Sequence, residues 1–369
     1  MTNEFDEIRP YYDSEIPAAM QRMAADPLLH KVAEFLMPNT PFEEVQHLFR
    51  SIRTTEEFQK KIMYEAVHAV AKKTTDGFTT EGFEHLNPNE CYLFVANHRD
   101  IVLDASLLQI ALVDHDMRTS EITFGSNLMK PQFVVDYGKS NKMFKVVRGA
   151  NMRDFLTNSQ LLSRYMRGKI ERKEDSVWIA QRNGRTKNGI DATDQGIIKM
   201  FAMSGSGNVL ESIESLHIVP VAISYQIEPC DSLKAHELYF SRKGPYVKSP
   251  MEDLNSIITG ILQPKGKVHM QIMPCINERL KSLEKLTKNE LYKGVAELID
   301  EEISAGYKLY DNNYIAYDLL HQTNQYADKY TPEAKERFQV HQNKILALLP
   351  ILNDEISTIF LEIYANALH

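Results

Sequence analysis

The sequence predicts an α/β fold: a mixed sheet flanked by helices, with an N-terminal helical bundle and a C-terminal helical extension. Two observations predict it. Runs rich in β-branched and aromatic residues alternate with amphipathic stretches between about residues 90 and 275, whereas both flanks show only helical periodicity. The 369 residues exceed what one core usually supports, so we expect three units, at 1–80, 81–276 and 277–369.

Residues 1–80 are predicted to form the helical bundle. Apolar side chains recur at spacings of three and four residues, for example at Phe42, Val45, Leu48 and Phe49, which is typical of amphipathic helices. A polar, glycine-containing stretch at about 73–89 separates the bundle from the central unit. We expect three or four helices in this bundle.

The central unit, residues 81–276, contains predicted strands separated by helical stretches, which indicates a sheet buried on both faces. Pro220 lies within one strand and cannot donate a ladder hydrogen bond, which predicts an edge position or a bulge. The predicted strands are CYLFVA (91–96), EITFGS (121–126), KVV (145–147), SVWIA (176–180), HIVPVAISY (217–225) and KVHMQIMP (267–274).

Residues 277–369 return to a helical pattern. Thr331-Pro332 and Asn353-Asp354 are typical helix starts. Charges occupy one face of these helices, and Leu, Ile and Tyr occupy the other. This amphipathic pattern predicts that the extension folds back onto the core.

The charge distribution predicts the class of ligand. The chain has 42 Lys and Arg against 50 Asp and Glu, a formal net charge of −8, which argues against a general nucleic-acid binder. Between Lys139 and Lys187, however, 13 basic residues stand against four acids, and few aromatic residues interleave with them. This basic island predicts a phosphate-bearing small molecule or an acidic protein as partner, and no nucleic acid.

Two features predict the compartment. The apolar runs are far shorter than the roughly 20 residues that span a bilayer. The acidic start, MTNEFDEIRPYYDSE, differs from the basic and then apolar start of a secretory signal. We therefore expect a cytoplasmic protein.

The first candidate site is VANHRDIVLDASLL (95–108), in which a polar turn follows a predicted strand. His98 lies where α/β sheets place ligand-binding residues, and Asp104, or alternatively Asp100, could orient its ring. Such a histidine can take a proton from a hydroxyl that attacks an acyl group. Because Ser and Cys are absent beside His98, the hydroxyl would belong to the substrate. The alternative is a structural histidine whose neighbouring acids cap a turn and a helix.

Two further turns carry basic residues at strand ends. Arg148 precedes a glycine in KVVRG, and the turn after SVWIA contains Arg182, Arg185 and Lys187 around Gly184. Arginine suits bidentate phosphate contacts, and glycine allows the backbone to approach a ligand. An exposed basic hairpin is the alternative interpretation of the second turn.

Four stretches in this order resemble the motifs of the glycerolipid acyltransferases, a family that includes glycerol-3-phosphate and lysophosphatidate acyltransferases. They are VANHRDIVLD, KVVRG, QRNGRTK and IVPVAISY, and the resemblance covers about residues 92–225. It implies that His98 is the general base and Asp104 its orienting carboxylate. It further implies that Arg148 and Arg185 bind substrate phosphate, in a site that includes Lys187, Asn183 and Gly184.

The resemblance implies a fatty acyl transfer from acyl-carrier protein or an acyl-coenzyme A thioester. The acceptor would be a hydroxyl of glycerol-3-phosphate or of a lysophospholipid-like molecule. It implies no metal and no cofactor besides the thioester co-substrate, and a peripheral contact with the inner face of the membrane.

The sequence departs from the family pattern at two positions. Five residues, rather than four, separate His98 from Asp104, and the glutamate of the third motif is missing, with Gln181 and Asn183 nearby. The second departure leaves open a non-catalytic member that binds anionic lipid or a carrier protein.

A metal-dependent phosphoesterase is the remaining alternative. Its ligands would come from histidine and aspartate side chains, which are chemically suitable for a divalent cation. The residues concerned are His98, Asp100, Asp104, His115 and Asp116.

Overall fold

The computed structural model describes residues 3–147, 151–351 and 353–368, and in these ranges seven strands form one mixed sheet. Their order across the sheet is β1-β7-β6-β2-β5-β3-β4. Only β6 and β7 pair antiparallel, and the other neighbours are parallel. The strands are β1 (Thr75–Glu81), β2 (Leu93–Ala96), β3 (Glu121–Gly125), β4 (Met143–Val146), β5 (Val177–Ala180), β6 (Ile218–Tyr225) and β7 (Gly266–Ile272).

The α/β fold class with a mixed sheet is confirmed, and all six predicted strands are present with ends shifted by at most two residues. The additional strand, β1, was missed because its sequence, TDGFTTE, is polar. It lies at the edge of the sheet, pairs with β7 alone and buries little of its surface. A strand with this exposure does not need the apolar alternation on which strand prediction depends.

The prediction for Pro220 was wrong. β6 is an internal strand with neighbours on both sides, and Pro220 is aligned with Val95 of β2. The ladder with β7 starts one residue later, where Val221 lies opposite Ile272. The Pro220 carbonyl accepts a hydrogen bond from the backbone N–H of Met273, just beyond the end of β7. The missing N–H therefore falls where the ladder ends, which allows proline in an internal strand.

The N-terminal helices pack on one face of the sheet. A π-helical turn, Gln59–Met63, joins the last two into one continuous helix, so four helices result, as predicted. Phe94 and Trp178 of the sheet share one apolar cluster with Met20, Val67 and other side chains of these helices. The helices are α1 (Ile16–Ala25), α2 (Pro27–Leu36), α3 (Phe42–Ser51), α4 (Thr55–Phe58) and α5 (Tyr64–Thr74).

The helices that connect the strands cover both faces. Leu93 and Val95 of β2 point to the second face, where they join a cluster with Tyr165 and Phe201. All four residues of β2 are buried, as expected for a central parallel strand. The helices are α6 (Leu103–Asp114), α7 (Gln132–Ser140), α8 (Met152–Glu171), α9 (Gln195–Ala202), α10 (Val209–Glu214), α11 (Asp231–Ser241) and α12 (Glu252–Leu262).

The C-terminal region is helical, as predicted. Its longest helix packs Val295 and Ile299 into the cluster on the second face, while the last three helices form a separate cluster with Tyr239 of α11. The predicted division into three units stays a prediction. The helices are α13 (Asn277–Leu280), α14 (Lys288–Gly306), α15 (Asp311–His321), α16 (Pro332–Leu346) and α17 (Asp354–Ala365).

None of the helices in the described ranges combines the length and the apolar character that crossing a membrane requires.

Gly82 should be essential for attaching edge strand β1. It has φ +86°, and a Cβ there would lie 1.9 Å from the Ile272 carbonyl oxygen at the end of β7. We expect Gly82→Ala to lower the free energy of unfolding, measured by urea denaturation. The loss should exceed the about 1–2 kcal/mol that the left-handed conformation alone costs a residue with a Cβ. Gly244→Ala, which would add its Cβ in open space, is the control. Equal stability of the two variants would contradict this account.

Candidate active site

The loop between β2 and α6, residues 97–102, is held by hydrogen bonds to two neighbouring elements. The Asn97 side chain accepts from Ile223 N at 2.8 Å and donates to Ile223 O at 3.0 Å, which anchors the loop to β6. The Thr186 N–H donates to the His98 carbonyl at 2.7 Å, which ties it to the loop after β5. His98 therefore lies at the carboxyl ends of three neighbouring parallel strands.

His98 and Asp104 are in direct contact. The His98 Nδ1 lies 2.9 Å from Asp104 Oδ2, and the edge of the ring faces Trp178 with centroids 5.8 Å apart. The five-residue spacing is accommodated because residues 99–102 turn before α6 begins at Leu103. Since a carboxylate only accepts, Nδ1 carries a proton, and in the neutral ring Nε2 keeps its lone pair. Nε2 forms no hydrogen bond with any described residue, and the side chain is 13% exposed.

Asp104 accepts three further hydrogen bonds although its side chain is only 1% exposed. Oδ2 accepts from the backbone N–H groups of Arg99 at 2.7 Å and Asp100 at 2.9 Å. Oδ1 accepts from the Tyr225 hydroxyl at 2.8 Å. Burial and the neighbouring Asp104 charge raise the pKa of Tyr225 well above its ordinary value, so it remains a donor. These donors fix the carboxylate that orients His98.

Asp100, the alternative partner of His98, caps the helix. Its Oδ1 accepts from Val102 N at 2.9 Å and Leu103 N at 2.8 Å at the start of α6. Oδ2 is buried against α12, so close that a Cβ added at Gly260 would lie 2.0 Å from it. This oxygen has no hydrogen-bond partner in the described residues. Asp100 therefore stabilises the turn in which His98 lies.

Arg99 is a buried residue whose role the sequence reasoning missed. Its guanidinium pairs with Asp191 at 2.7 Å and with Glu228 at 3.3 Å, and it lies over the Tyr307 ring. Lys234 of α11 donates to Glu228 at 2.5 Å and to the Arg99 carbonyl at 2.8 Å. This network connects the loop after β2 to the C-terminal half of the chain. In the sequence, the only indications of this network are the charged residues of NHRD (97–100) and the aspartate of NGID (188–191).

The loop after β5 brings Arg185 close to this turn. Arg185 is 8% exposed, and its Nη1 has no hydrogen-bond partner among the described residues. Burial and the Asp104 charge raise the pKa of Asp100, and the charge of Arg185 opposes that rise. Arg185 is thus a buried guanidinium with unused donor capacity near Asp100 and Cys230.

The other predicted phosphate ligands have different environments. Lys187 forms an ion pair with Glu237 of α11, which already satisfies its charge. Asn183 and Gly184 are exposed at the tip of the loop, and Gly184 has φ +77°. Arg148 lies outside the described residues.

The basic island is mostly neutralised. Of its twelve described cations, eight form ion pairs, five of them with acids distant in sequence from the island. Arg182 and Arg185 are among those with no ion pair in the described ranges. The other two are Lys139 and Arg153, so the positive charge without an ion pair in the described ranges is divided between the loop after β5 and positions elsewhere in the island. The pairs are Lys142–Asp175, Lys145–Glu7, Arg164–Glu4, Arg167–Glu171, Lys169–Glu121, Arg172–Glu174, Lys173–Glu90 and Lys187–Glu237.

The ligand set of the phosphoesterase alternative is not assembled. His115 and Asp116 follow the C-terminal end of α6, roughly 16 Å of helix from Asp104. His115 stacks on Phe83 and contacts Thr80 at 3.1 Å. In the described ranges, no three His, Cys, Asp or Glu side chains are grouped so that they could hold a metal ion.

Comparisons with known proteins give weak likenesses. No protein-family model matches the chain, and no curated protein matches it. The chain is similar to the 1-acyl-sn-glycerophosphate (LPA) acyltransferase PlsC from Thermotoga maritima, at 12% identity and a TM-score of 0.39, over 78% of this chain and 95% of that chain. It is also similar to the signal recognition particle 54 kDa protein from Aeropyrum pernix K1 in complex with GDP, at 11% identity and a TM-score of 0.22, over 90% of this chain and 82% of that chain. Neither likeness assigns a function.

Proposed function

We propose that this protein is an acyltransferase that moves a fatty acyl chain from a carrier thioester to a hydroxyl of a phosphate-bearing glycerol acceptor. The observation that carries the proposal is the 2.9 Å contact between His98 Nδ1 and Asp104 Oδ2, with Nε2 left available. The motif resemblance supports the same reaction. The donor would be acyl-carrier protein or acyl-coenzyme A, and the acceptor glycerol-3-phosphate or a lysophospholipid-like molecule.

The dyad suits one balanced sequence of proton transfers. His98 Nε2 takes the proton of the acceptor hydroxyl while that oxygen forms a bond to the thioester carbonyl carbon. Asp104 stabilises the imidazolium that results. When the tetrahedral intermediate collapses, the carbon–sulfur bond breaks and the leaving thiolate takes the proton back from His98. The products are an ester and a free thiol, and the enzyme returns to its starting state.

Arg185 would bind the phosphate of the acceptor. A buried guanidinium with an unused N–H gains a strong, charge-assisted hydrogen bond when a phosphate oxygen approaches. Its position beside the Asp100 turn would bring the acceptor hydroxyl towards His98. Arg182, which is half-exposed in the same loop, adds positive charge at the entrance.

The surface of α12 supports a peripheral contact with a membrane. Leu254, Ile258 and Leu262 follow one another at four-residue spacing and are 46–49% exposed. The opposite side of the helix packs Gly260 against Asp100 in the candidate site. An exposed apolar stripe on a helix that covers the site suits an enzyme whose product is a lipid.

His98→Ala should abolish most of the activity. Removal of a general base costs on the order of 10²–10⁴ in rate, measured as acyl-thioester consumption in the presence of glycerol-3-phosphate. His30→Ala, at an exposed histidine of α2, should leave the rate unchanged. If His98→Ala retains turnover within a few-fold of the parent protein, His98 is not the base. Vesicle or carrier binding without turnover by the parent protein would favour the non-catalytic alternative.

Arg185→Gln should weaken acceptor binding. Loss of a charged hydrogen bond of about 1.5–3 kcal/mol corresponds to an increase of roughly 10- to 100-fold in the KM for glycerol-3-phosphate. The KM for the acyl thioester should change much less. Arg337→Gln, an exposed arginine on α16, is the matched control. An unchanged acceptor KM in Arg185→Gln would exclude Arg185 as the phosphate ligand.

The double variant Leu254→Glu, Ile258→Glu should lose membrane binding. Flotation with vesicles of phosphatidylcholine and phosphatidylglycerol should show at least about tenfold weaker association, because two charges replace apolar side chains that would enter the lipid. Val340→Glu places a charge at a 61% exposed position on α16 and should bind like the parent protein. Equal flotation of all three proteins would rule out the α12 stripe as the contact.

A further inference from the structure

A cavity of about 490 Å³ lies away from the candidate active site, between α6 and the continuous helix formed by α4, the π-helical turn and α5. It reaches Thr119, two residues before β3, and Lys142, directly before β4, and so it lies at the amino ends of these parallel strands. His98 follows the carboxyl end of β2. The cavity is therefore a separate site. Its apolar wall is formed by Met63, Val67, Ile110, Val113 and Met117.

Ser106 supplies a buried polar group in the wall of this cavity. The side chain is 3% exposed, and its Oγ has no hydrogen-bond partner in the described part of the chain. The neighbouring Gln109 is satisfied, because its amide bonds with the Ala105 carbonyl and with Ser120. A buried hydroxyl without a partner costs free energy that a ligand oxygen can recover. Ser106 thus marks where the polar end of a ligand would bind.

Two of the three cations that line the cavity are paired with acids, and the carboxylates of Glu56 and Asp116 also line it. Lys60 pairs with Glu56 at 2.5 Å, and Lys142 pairs with Asp175 at 2.6 Å. The Arg118 guanidinium donates to the backbone carbonyl of Glu174 at 2.7 Å. An anionic ligand would therefore be desolvated next to two carboxylates, with Arg118 as the one lining cation that has no ion pair in the described ranges. The cavity therefore favours a neutral molecule over an anion.

The π-helical turn contributes to the wall and is held in place by hydrogen bonds to two other residues that line the cavity. The Gln59 side chain accepts from the Thr119 hydroxyl at 2.8 Å and donates to Asn141 at 3.3 Å. These bonds connect the turn to the residues that precede β3 and β4. π-helical turns are rare and occur frequently at functional sites.

We propose that this cavity is a binding site for a neutral aliphatic molecule with a hydroxyl or carbonyl oxygen at one end. The chain of the ligand contacts the apolar wall, and its oxygen hydrogen-bonds to Ser106 Oγ. Volume, wall chemistry and the single unsatisfied hydroxyl all agree with this class. The proposal is independent of the acyltransferase assignment, because it concerns a different end of the sheet.

The test measures binding of 1-octanol and of octanoate to the full chain by titration calorimetry. We expect saturable binding of 1-octanol at a ratio of one and at least about tenfold weaker binding of the charged octanoate. Ser106→Ala should weaken 1-octanol binding by about 2- to 10-fold, which is the loss of one neutral hydrogen bond. Ser282→Ala, at an exposed serine, should bind like the parent protein.

Narrowing the cavity should weaken 1-octanol binding. Ile110→Phe places a ring in the wall, and Val113→Phe does so at a half-buried position that tolerates change if the first variant does not fold. Val340→Phe on the surface of α16 is the size-matched control. The proposal is overturned if 1-octanol does not bind, if octanoate binds equally well, or if the Val113→Phe variant binds 1-octanol like the parent protein.

Discussion

The candidate site depends on supplying the buried Asp104 carboxylate with hydrogen-bond donors. Moving a carboxylate out of water costs on the order of several kcal/mol unless hydrogen bonds replace its hydration. Here the donors are His98, two backbone N–H groups and the Tyr225 hydroxyl. Because three of these donors belong to the loop itself, the chain after β2 must turn back towards the start of α6. That turn is what positions the His98 ring.

The same constraint extends to the surrounding charges. Arg99, whose backbone donates to Asp104, carries a guanidinium that is itself buried, so it requires Asp191 and Glu228 as partners. Glu228 in turn pairs with Lys234 of α11, which packs with the C-terminal helices. Removal of one member would leave an uncompensated buried charge. The C-terminal half therefore supports the loop that carries His98, although it contributes no side chain to the dyad.

Ion pairing also decides where positive charge remains available. The basic island of the sequence is compensated by acids from the N-terminus, from β3 and from α11. What stays unpaired beside the candidate site is Arg185, whose burial makes an unused N–H costly. A single buried guanidinium discriminates between ligands better than a diffuse patch, because its donors have fixed directions. The net charge of −8 is thus compatible with one local anion site.

Local sequence patterns determined the fold class, six of the seven described strands and the position of His98 at a strand end. They could do so because apolar periodicity and turn residues are local properties of the chain. Only tertiary structure decided the rest. Edge strand β1 is defined by pairing with β7, nearly two hundred residues away, and Pro220 is tolerated inside the sheet because β7 ends there. The contact of His98 with Asp104 rather than Asp100 depends on how the turn after β2 folds. The ion pairs that neutralise much of the basic island join residues far apart in the chain. Burial and hydrogen bonding set those interactions, and neither can be read from residue spacing.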